Sequence, residues 1–299
     1  MAKKTSVSTR KRRQKKSEKK SLFKKIFFIG LFFCLAGVFG YFAFFWPSIW
    51  IEEIKIEFEK DTLNLEDQVL TIAEKHLGQN YLKFLPQKSF FLVPLETIQA
   101  SILKEIPQLA EVEVSKELKL SNNEKSFLKI KAHKRQIKAV WCQSFWQEEE
   151  KKEEEVIETF SKKNIKDCFY IDSNGVIFKE APQTRGGLIF SIYDFRQKEP
   201  QLGQVVIEPS LMEKILIIQK DLINFSSQNK LFNLASFEID SVRKLVVLTD
   251  QGWRIYFSIW QPVEEQLRVL KRSLLEEIKD TNQIKEYLDL RTPNRLYYK

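Results

Sequence analysis

The longest apolar run is Ile26 to Trp46, IFFIGLFFCLAGVFGYFAFFW: 21 residues with no ionisable side chain except the Cys34 thiol. As a helix it spans roughly 31 Å, one hydrocarbon core. Eight of the chain's 24 phenylalanines lie in it. Tyr41 and Trp46 stand near its far end, where amphipathic rings favour the headgroup level, and Pro47 stops the helix. A cleaved signal peptide would have a shorter apolar region ending in small residues. This run ends in FAFFW, so the pattern predicts an uncleaved transmembrane helix over 26–46.

Beyond it the periodicity changes. Ile54, Ile56 and Phe58 alternate with Glu53, Lys55, Glu57 and Glu59, the pattern of a half-buried strand. Asn64 precedes a helix whose Leu65, Val69, Ile72, Ala73 and Leu77 share one face, with Gly78 as terminator. A loop, QNYLKFLPQKSFFLV, follows. Pro94 opens a second helix with Leu95, Ile98, Ile102 and Leu103 inward, and Pro107 ends it. Val112 and Val114 begin a second strand. Leu128, Ile130 and Ala132 mark a third, with Ile137, Ala139 and Trp141 as its continuation. The order β-α-α-β-β predicts helices on one face of a small sheet, an α+β domain over 47–141.

A second domain is expected over 142–299, a mixed β-sheet with packed helices. Cys168 to Phe178, CFYIDSNGVIF, reads as a hairpin whose turn Asp172–Gly175 needs positive φ at Asn174 or Gly175. Leu188, Phe190 and Ile192 form a strand. After Ser210 comes a helix with Leu211, Ile215, Ile218 and Leu222 inward. Phe237–Ile239 and Leu245–Leu248 are strands, and a turn at Asp250–Gly252 leads into Trp253–Ile259. Pro262 starts a last helix with Leu267, Leu270, Leu274 and Ile278 inward. Between Trp146 and Asp167 the pattern fails: eight acids and five lysines read as a solvated, transiently helical loop insertion over 146–167.

Charge sharpens this division. The chain carries a formal +9, but residues 1–25 hold 12 Lys/Arg and one acid, Glu18. The body after residue 46 is −2. A basic stripe on the fold, the mark of a nucleic-acid-binding domain, is therefore not expected. The 1–25 tail reads as disordered and cytoplasmic by positive-inside asymmetry, leaving the C-terminal domains extracytoplasmic on a single-pass anchor. A tail that binds nucleic acid is the competing reading. Attraction to anionic lipid already accounts for such a run.

Several motifs carry a family resemblance. IPQLAEVEV from Ile106 to Val114, LKI at Leu128–Ile130 and IKAVW ending at Trp141 resemble a POTRA domain joined to the next domain of the FtsQ/DivIB cell-division proteins. Lys138–Ala139 stands where that family usually has Pro-Val/Ile-Ala. CFYIDSNGVIF is similar to the family's short hairpin. YLDLRTPNRLYYK from Tyr287 is similar to its terminal strand with the Asp-Leu-Arg core, here Asp289-Leu290-Arg291. The resemblance implies a non-enzymatic divisome scaffold of the cytoplasmic (inner) membrane, acting at the division septum. It implies FtsB/DivIC- and FtsL-like partners, and through them support of septal peptidoglycan synthesis. A POTRA protein of polypeptide transport or envelope assembly is the alternative, though two amphipathic helices interrupt the strands such a barrel would need.

The implied partner surface is the terminal strand, with Asp289, Arg291, Asn294, Arg295, Leu296, Tyr297 and Tyr298 as candidate contacts. The sequence ends at Lys299 directly after it, so an uncovered edge open to strand addition is expected. Either Tyr297 and Tyr298 face the partner or they complete the core.

Chemistry-bearing motifs are scarce. There is no G-x-x-x-x-G-K, G-x-S-x-G, H-E-x-x-H or C-x-x-C. His76 and His133 stand without ligand-spaced neighbours, and the Glu run lacks His, so no metal site is expected. No cofactor, small-molecule substrate or catalytic residue is expected either. Asp172 and Asp289 tempt as a carboxylate pair, but a turn former and an Asp–Arg pair on a strand account for them. Cys142 and Cys168 flank the insertion: paired strands would let a disulfide form in an oxidising compartment, and otherwise they are small, partly buried thiols.

Overall fold

The computed structural model describes residues 24–25, 27–42, 50–58, 63–81, 85–119, 125–153, 156–183, 189–196, 199–241 and 244–299. Most of the basic tail, both ends of the apolar run 26–46, and Leu188 lie outside the described residues. The fold is mixed α+β. Residues 27–42 form a helix, α1, that exposes Phe27, Phe32, Phe33 and Phe39. No helix among the described residues is long and apolar enough to cross a membrane.

The chain divides into two compact units, Met1–Leu103 with Glu111–Ala132, and Lys104–Ala110 with His133–Lys299. The division falls earlier than the boundary read at Trp141. The reason is a break at 135–138: β5 (Ser126–Lys134) stops there, and Ala139 starts a new strand in another sheet. Ala139 and Trp141 therefore do not continue the third strand.

The first unit is built from β1 (Ile51–Phe58), α2 (Leu63–Leu77), a small β2–β3 pair (Asn80–Tyr81 and Leu85–Pro86) inside the expected loop, α3 (Leu95–Glu105), β4 (Leu109–Glu117) and β5. Its sheet order is β1-β5-β4, with β1 parallel to β5. Ile54, Ile56 and Phe58 meet Leu128, Ile130 and Ala132 in register. Leu65, Val69, Ile72, Ala73 and Leu77 of α2 are buried, as their spacing requires. On α3 only Ile98 and Ile102 are buried; Leu95 and Leu103 sit at the margin.

The second unit is one nine-stranded sheet, β14-β13-β12-β11-β10-β9-β6-β7-β8. Its strands are β6 (Ala139–Glu153), β7 (Val156–Ile171), β8 (Ile177–Glu180), β9 (Ser191–Asp194), β10 (Leu234–Ser241), β11 (Lys244–Thr249), β12 (Arg254–Ser258), β13 (Tyr287–Asp289) and β14 (Tyr297–Tyr298). The charged insertion is thus not a loop. β6 and β7 pair antiparallel all the way to Glu153↔Val156. The ladder is anchored by buried pairs at its base, Ala139↔Ile171 and Cys142↔Cys168, and backbone bonds carry it into the polar segment. Composition alone does not show this.

Two helices cover one face. α4 (Pro209–Asn229) links parallel β9 and β10, and α5 (Val263–Arg272) links parallel β12 and β13. Parallel neighbours need such crossovers. Leu211, Ile215, Ile218 and Leu222 of α4 pack with Leu267 and Leu270 of α5 over Phe237, Ile239, Leu245, Val247, Ile255 and Leu288. α5 runs on into a π-helical turn, Ser273–Ile278, where Lys279 N–H reaches Leu274 O at 3.0 Å. Leu274 and Ile278 are buried as read, although the wider turn was not foreseen.

The DSNG turn shows how tightly this unit closes. Gly175 adopts φ +76°. Asp172 Oδ1 accepts from Asn174 N–H at 2.9 Å and Val176 N–H at 3.0 Å. Its Oδ2 pairs with the Arg135 guanidinium.

Candidate functional site

The C-terminal segment is not one strand. Tyr287–Asp289 pairs parallel with β12, the chain turns at 290–296 with Asn294 at φ 57°, and Tyr297–Tyr298 folds back antiparallel on β13. The registers are Leu288↔Tyr298 and Asp289↔Tyr297. The physical reason is the TPN segment. Pro293 cannot donate to a ladder, and Asn tolerates the left-handed region, so the strand turns instead of continuing. Asn294 is therefore a turn residue, and of the expected terminal strand only Tyr297 and Tyr298 stand in a ladder after the turn.

β14 is the outermost strand of the sheet. Tyr287 and Lys299 exchange both backbone bonds, Lys299 N–H to Tyr287 O at 3.1 Å and Tyr287 N–H to Lys299 O at 3.4 Å. Antiparallel ladders alternate, so the next bonded pair is Asp289/Tyr297. The N–H and C=O of Tyr298 then point away from β13, toward the free edge. Tyr297 is 49% and Tyr298 52% exposed, so neither completes the core. Leu296 does: it packs against the main hydrophobic cluster.

Asp289 and Arg291 brace the turn as a fork. Arg291 Nε donates to Asp289 Oδ1 at 2.9 Å, its Nη2 donates to Oδ2 at 2.5 Å, and its backbone N–H caps Oδ1 at 3.0 Å. The Arg291 guanidinium lies 5.3 Å from the Tyr256 ring centroid, and Tyr256 packs on Tyr287 at 5.5 Å. Burial pushes the Asp289 carboxyl up, but the Arg291 hydrogen bonds outweigh it and hold the pKa below the usual value. The partner guanidinium is shifted up, chiefly by its bond to Asp289. A depressed folded pKa means the pair stabilises fully above the unfolded value of about 3.9 and fails as pH falls through the lower folded value. Amide exchange at Tyr297–Lys299, corrected for intrinsic rate, should therefore be faster at pH 2 than at pH 5. Asp289→Asn should abolish most of that difference.

Arg295 is exposed, and its pKa is raised through its bond to Tyr297. Asp172 and Asp289 are not a carboxylate pair. Five strands separate β7 from β13, which is roughly 25–30 Å at the usual strand spacing. Each carboxylate has its own arginine.

Three arrangements escaped the sequence reading. Asp194-Phe195-Arg196 repeats the Asp-x-Arg device: Arg196 Nε donates to Asp194 Oδ1 at 2.9 Å and Nη2 to Oδ2 at 2.8 Å. The shared D-x-R spelling at 194–196 and 289–291 was the available signal. Lys163 pairs with Glu238 at 2.8 Å across strands far apart in sequence, for which no local signal exists. His76 Nε2 lies 3.0 Å from Ser101 Oγ, tying α2 to α3 in the first unit. Among the described residues no carboxylate is bonded to that ring, and no group of three His, Cys, Asp or Glu is placed to hold a metal ion.

The two body cysteines are joined. Cys142 and Cys168 stand directly opposite in register and form a disulfide, with 4.1 Å between their Cα atoms. The strand pairing on which that outcome depended is present.

In comparisons with known proteins, no family model matches the chain, and no curated protein matches it.

Proposed function

We propose that the chain is a non-enzymatic, membrane-anchored scaffold of the cell-division machinery, of the FtsQ/DivIB type. Its partners are FtsB/DivIC- and FtsL-like proteins, bound outside the cytoplasmic membrane by strand addition at β14. The observation that carries the reading is the one-sided pairing of β14 at the sheet's end, with two half-exposed tyrosines beside it. Such an edge is a template for a further strand, and aromatic side chains supply the pockets that select it. The brace formed by Asp289 and Arg291 fixes the turn that returns β14 onto β13.

Other features support the cellular placement. The Ile26–Trp46 run is apolar all round, its helical part exposes its phenylalanines, and it follows twelve basic residues. A transmembrane anchor with a cytoplasmic tail uses all three features. A closed Cys142–Cys168 bridge suits an oxidising compartment. The first unit has the expected β-α-α-β-β order with the small β2–β3 pair added between its helices, which supports a POTRA-like reading.

Strand addition makes a specific prediction. Tyr298→Pro removes an outward N–H without touching a β13 bond, and proline is tolerated where the N–H faces outward. The variant should keep its melting temperature yet bind the FtsB-like partner about a hundredfold more weakly. Unchanged affinity in a folded variant would sink strand addition here. Diffuse envelope labelling of a fluorescent fusion throughout the cell cycle would sink the division reading itself.

A further inference from the structure

The ribbon formed by β6 and β7 loses the support of the sheet at one point. β9 pairs with β6 only from Val140 to Gln143, and β8 pairs with β7 only from Phe169 to Ile171. Beyond Gln143 and Cys168 no further strand among the described residues pairs with the ribbon; Ala181 N–H donates to Cys168 O at 2.9 Å, and Gln183 Nε2 donates to Lys166 O at 2.8 Å and Ile165 O at 3.5 Å. A two-stranded ribbon is marginal in water. The disulfide sits at this junction.

A bulge sits there too. Cys142 faces Cys168, but Ser144 faces Ile165, so β7 holds one extra residue against Gln143. A one-residue shift exchanges the faces of a strand. Without it, Lys166 and Asn164 would follow Cys168 on the sheet face opposite α4 and α5. With it, Ile165 and Lys163 take that face. Ile165 packs on Val140, Cys142 and Cys168. Lys163 Nζ lies 2.8 Å from Glu238 Oε1 and 3.3 Å from the Tyr193 ring centroid. Asn164 turns to the other side and bonds Gln147 at 2.6 Å.

Lys163 and Ile165 thereby close one side of a groove of about 340 Å³, whose floor is Ser191, Tyr193, Ser236 and Leu248. The floor belongs to β9, β10 and β11, and the closing residues belong to the ribbon. Glu238 beneath is 7% exposed, so losing Lys163 would leave a buried carboxylate without its cation.

We propose that the Cys142–Cys168 disulfide is a redox-sensitive clamp that holds the ribbon as a lid over this groove. A dithiol reductant gives two electrons and two protons to the bridge, leaving two thiols and becoming a disulfide itself. The ribbon then rests on the bulged ladder, the Gln183 bonds, the Lys163–Glu238 pair, the Ile165 contact and the stack of Trp146 on Phe195 at 4.8 Å between ring centroids, and it opens from the junction outward. The clamp does not depend on what binds at β14.

Hydrogen exchange on the full chain in detergent micelles, oxidised and after dithiol treatment, tests this. Reduction should speed exchange across 156–167 by about tenfold, less than a bridge contributes against global unfolding, because the pairs at the ribbon's base, from Ala139↔Ile171, still hold its ends together. Exchange at β10 and β11 should stay the same. Cys142→Ser/Cys168→Ser should exchange like the reduced protein whether or not reductant is present. Lys163→Met should speed exchange at 163–166 with the bridge intact. Equal ribbon exchange in both redox states overturns the clamp, as does acceleration spread evenly over β9–β11. Two alkylatable thiols at these positions in the native protein would also overturn it. An unaffected Lys163→Met variant would remove the lid.

Discussion

Gly175→Ala is expected to destabilise the second unit by about 3–5 kcal/mol, among the largest effects of any single substitution in this chain. Two costs coincide. The residue holds φ +76°, which an alanine adopts only with strain. An added Cβ would also stand 1.8 Å from the Ile207 carbonyl oxygen, and that neighbour is backbone. Ile207 and Val206 cannot simply move, because both N–H groups donate to Gly175 O, at 3.4 and 2.9 Å. Both side chains are also fully buried. Urea unfolding followed by tryptophan fluorescence measures the loss. A change below about 1 kcal/mol would show that the 204–208 segment yields without cost.

Asp194→Ala should cost a similar amount, about 3–5 kcal/mol, because it leaves buried partners behind rather than removing a whole pair. Asp194 is 1% exposed. Its Oδ2 accepts from the indole N–H of Trp141 at 3.1 Å and from Arg196 Nη2 at 2.8 Å. Arg196 also reaches Val206 O at 3.2 Å and Glu208 at 3.1 Å, so the carboxylate ties β9 and β6 to the segment entering α4. Burial pulls the Arg196 pKa down, but Asp194 and Glu208 together raise it, so the guanidinium stays charged. Removing Asp194 leaves that charge to the exposed Glu208 alone among the anions described at it, and leaves the Trp141 N–H without its acceptor. The matched fork at Asp289–Arg291 is the control: Arg291 is exposed, so Asp289→Ala should cost only about 1 kcal/mol. Equal losses at the two sites would mean that burial does not set their weight.

These two forks also measure what the chain announces in advance. The Asp-Leu-Arg spelling at 289–291 was legible, and its role as a brace follows from alternate residues sharing a strand face. The identical device at 194–196 has the same spelling yet passed unnoticed, because its importance comes from Trp141, distant in sequence. The candidate edge was legible in place but not in shape. Leu296 was read as a partner contact, yet it packs on the core, so Leu296→Glu would confuse lost folding with lost binding. Tyr298→Pro avoids that confusion.

Periodicity by itself determined the body helices and most of their inward faces, Leu95 and Leu103 of α3 excepted, together with most strands and the Gly175 turn, and composition gave the charge division between tail and body. Those features depend on neighbours within a few residues, where the 3.6- and 2-residue repeats and turn chemistry act. Only the tertiary structure decided the rest. It turned the charged insertion into paired strands, ended β5 at Lys134, folded Tyr297–Tyr298 back on β13, and set the bulge that puts Lys163 rather than Asn164 over Glu238. Each of these is a choice of register or partner between distant segments. Such a choice is made by which arrangement buries its apolar face and leaves no buried charge alone, and no local window of sequence contains both sides of that comparison.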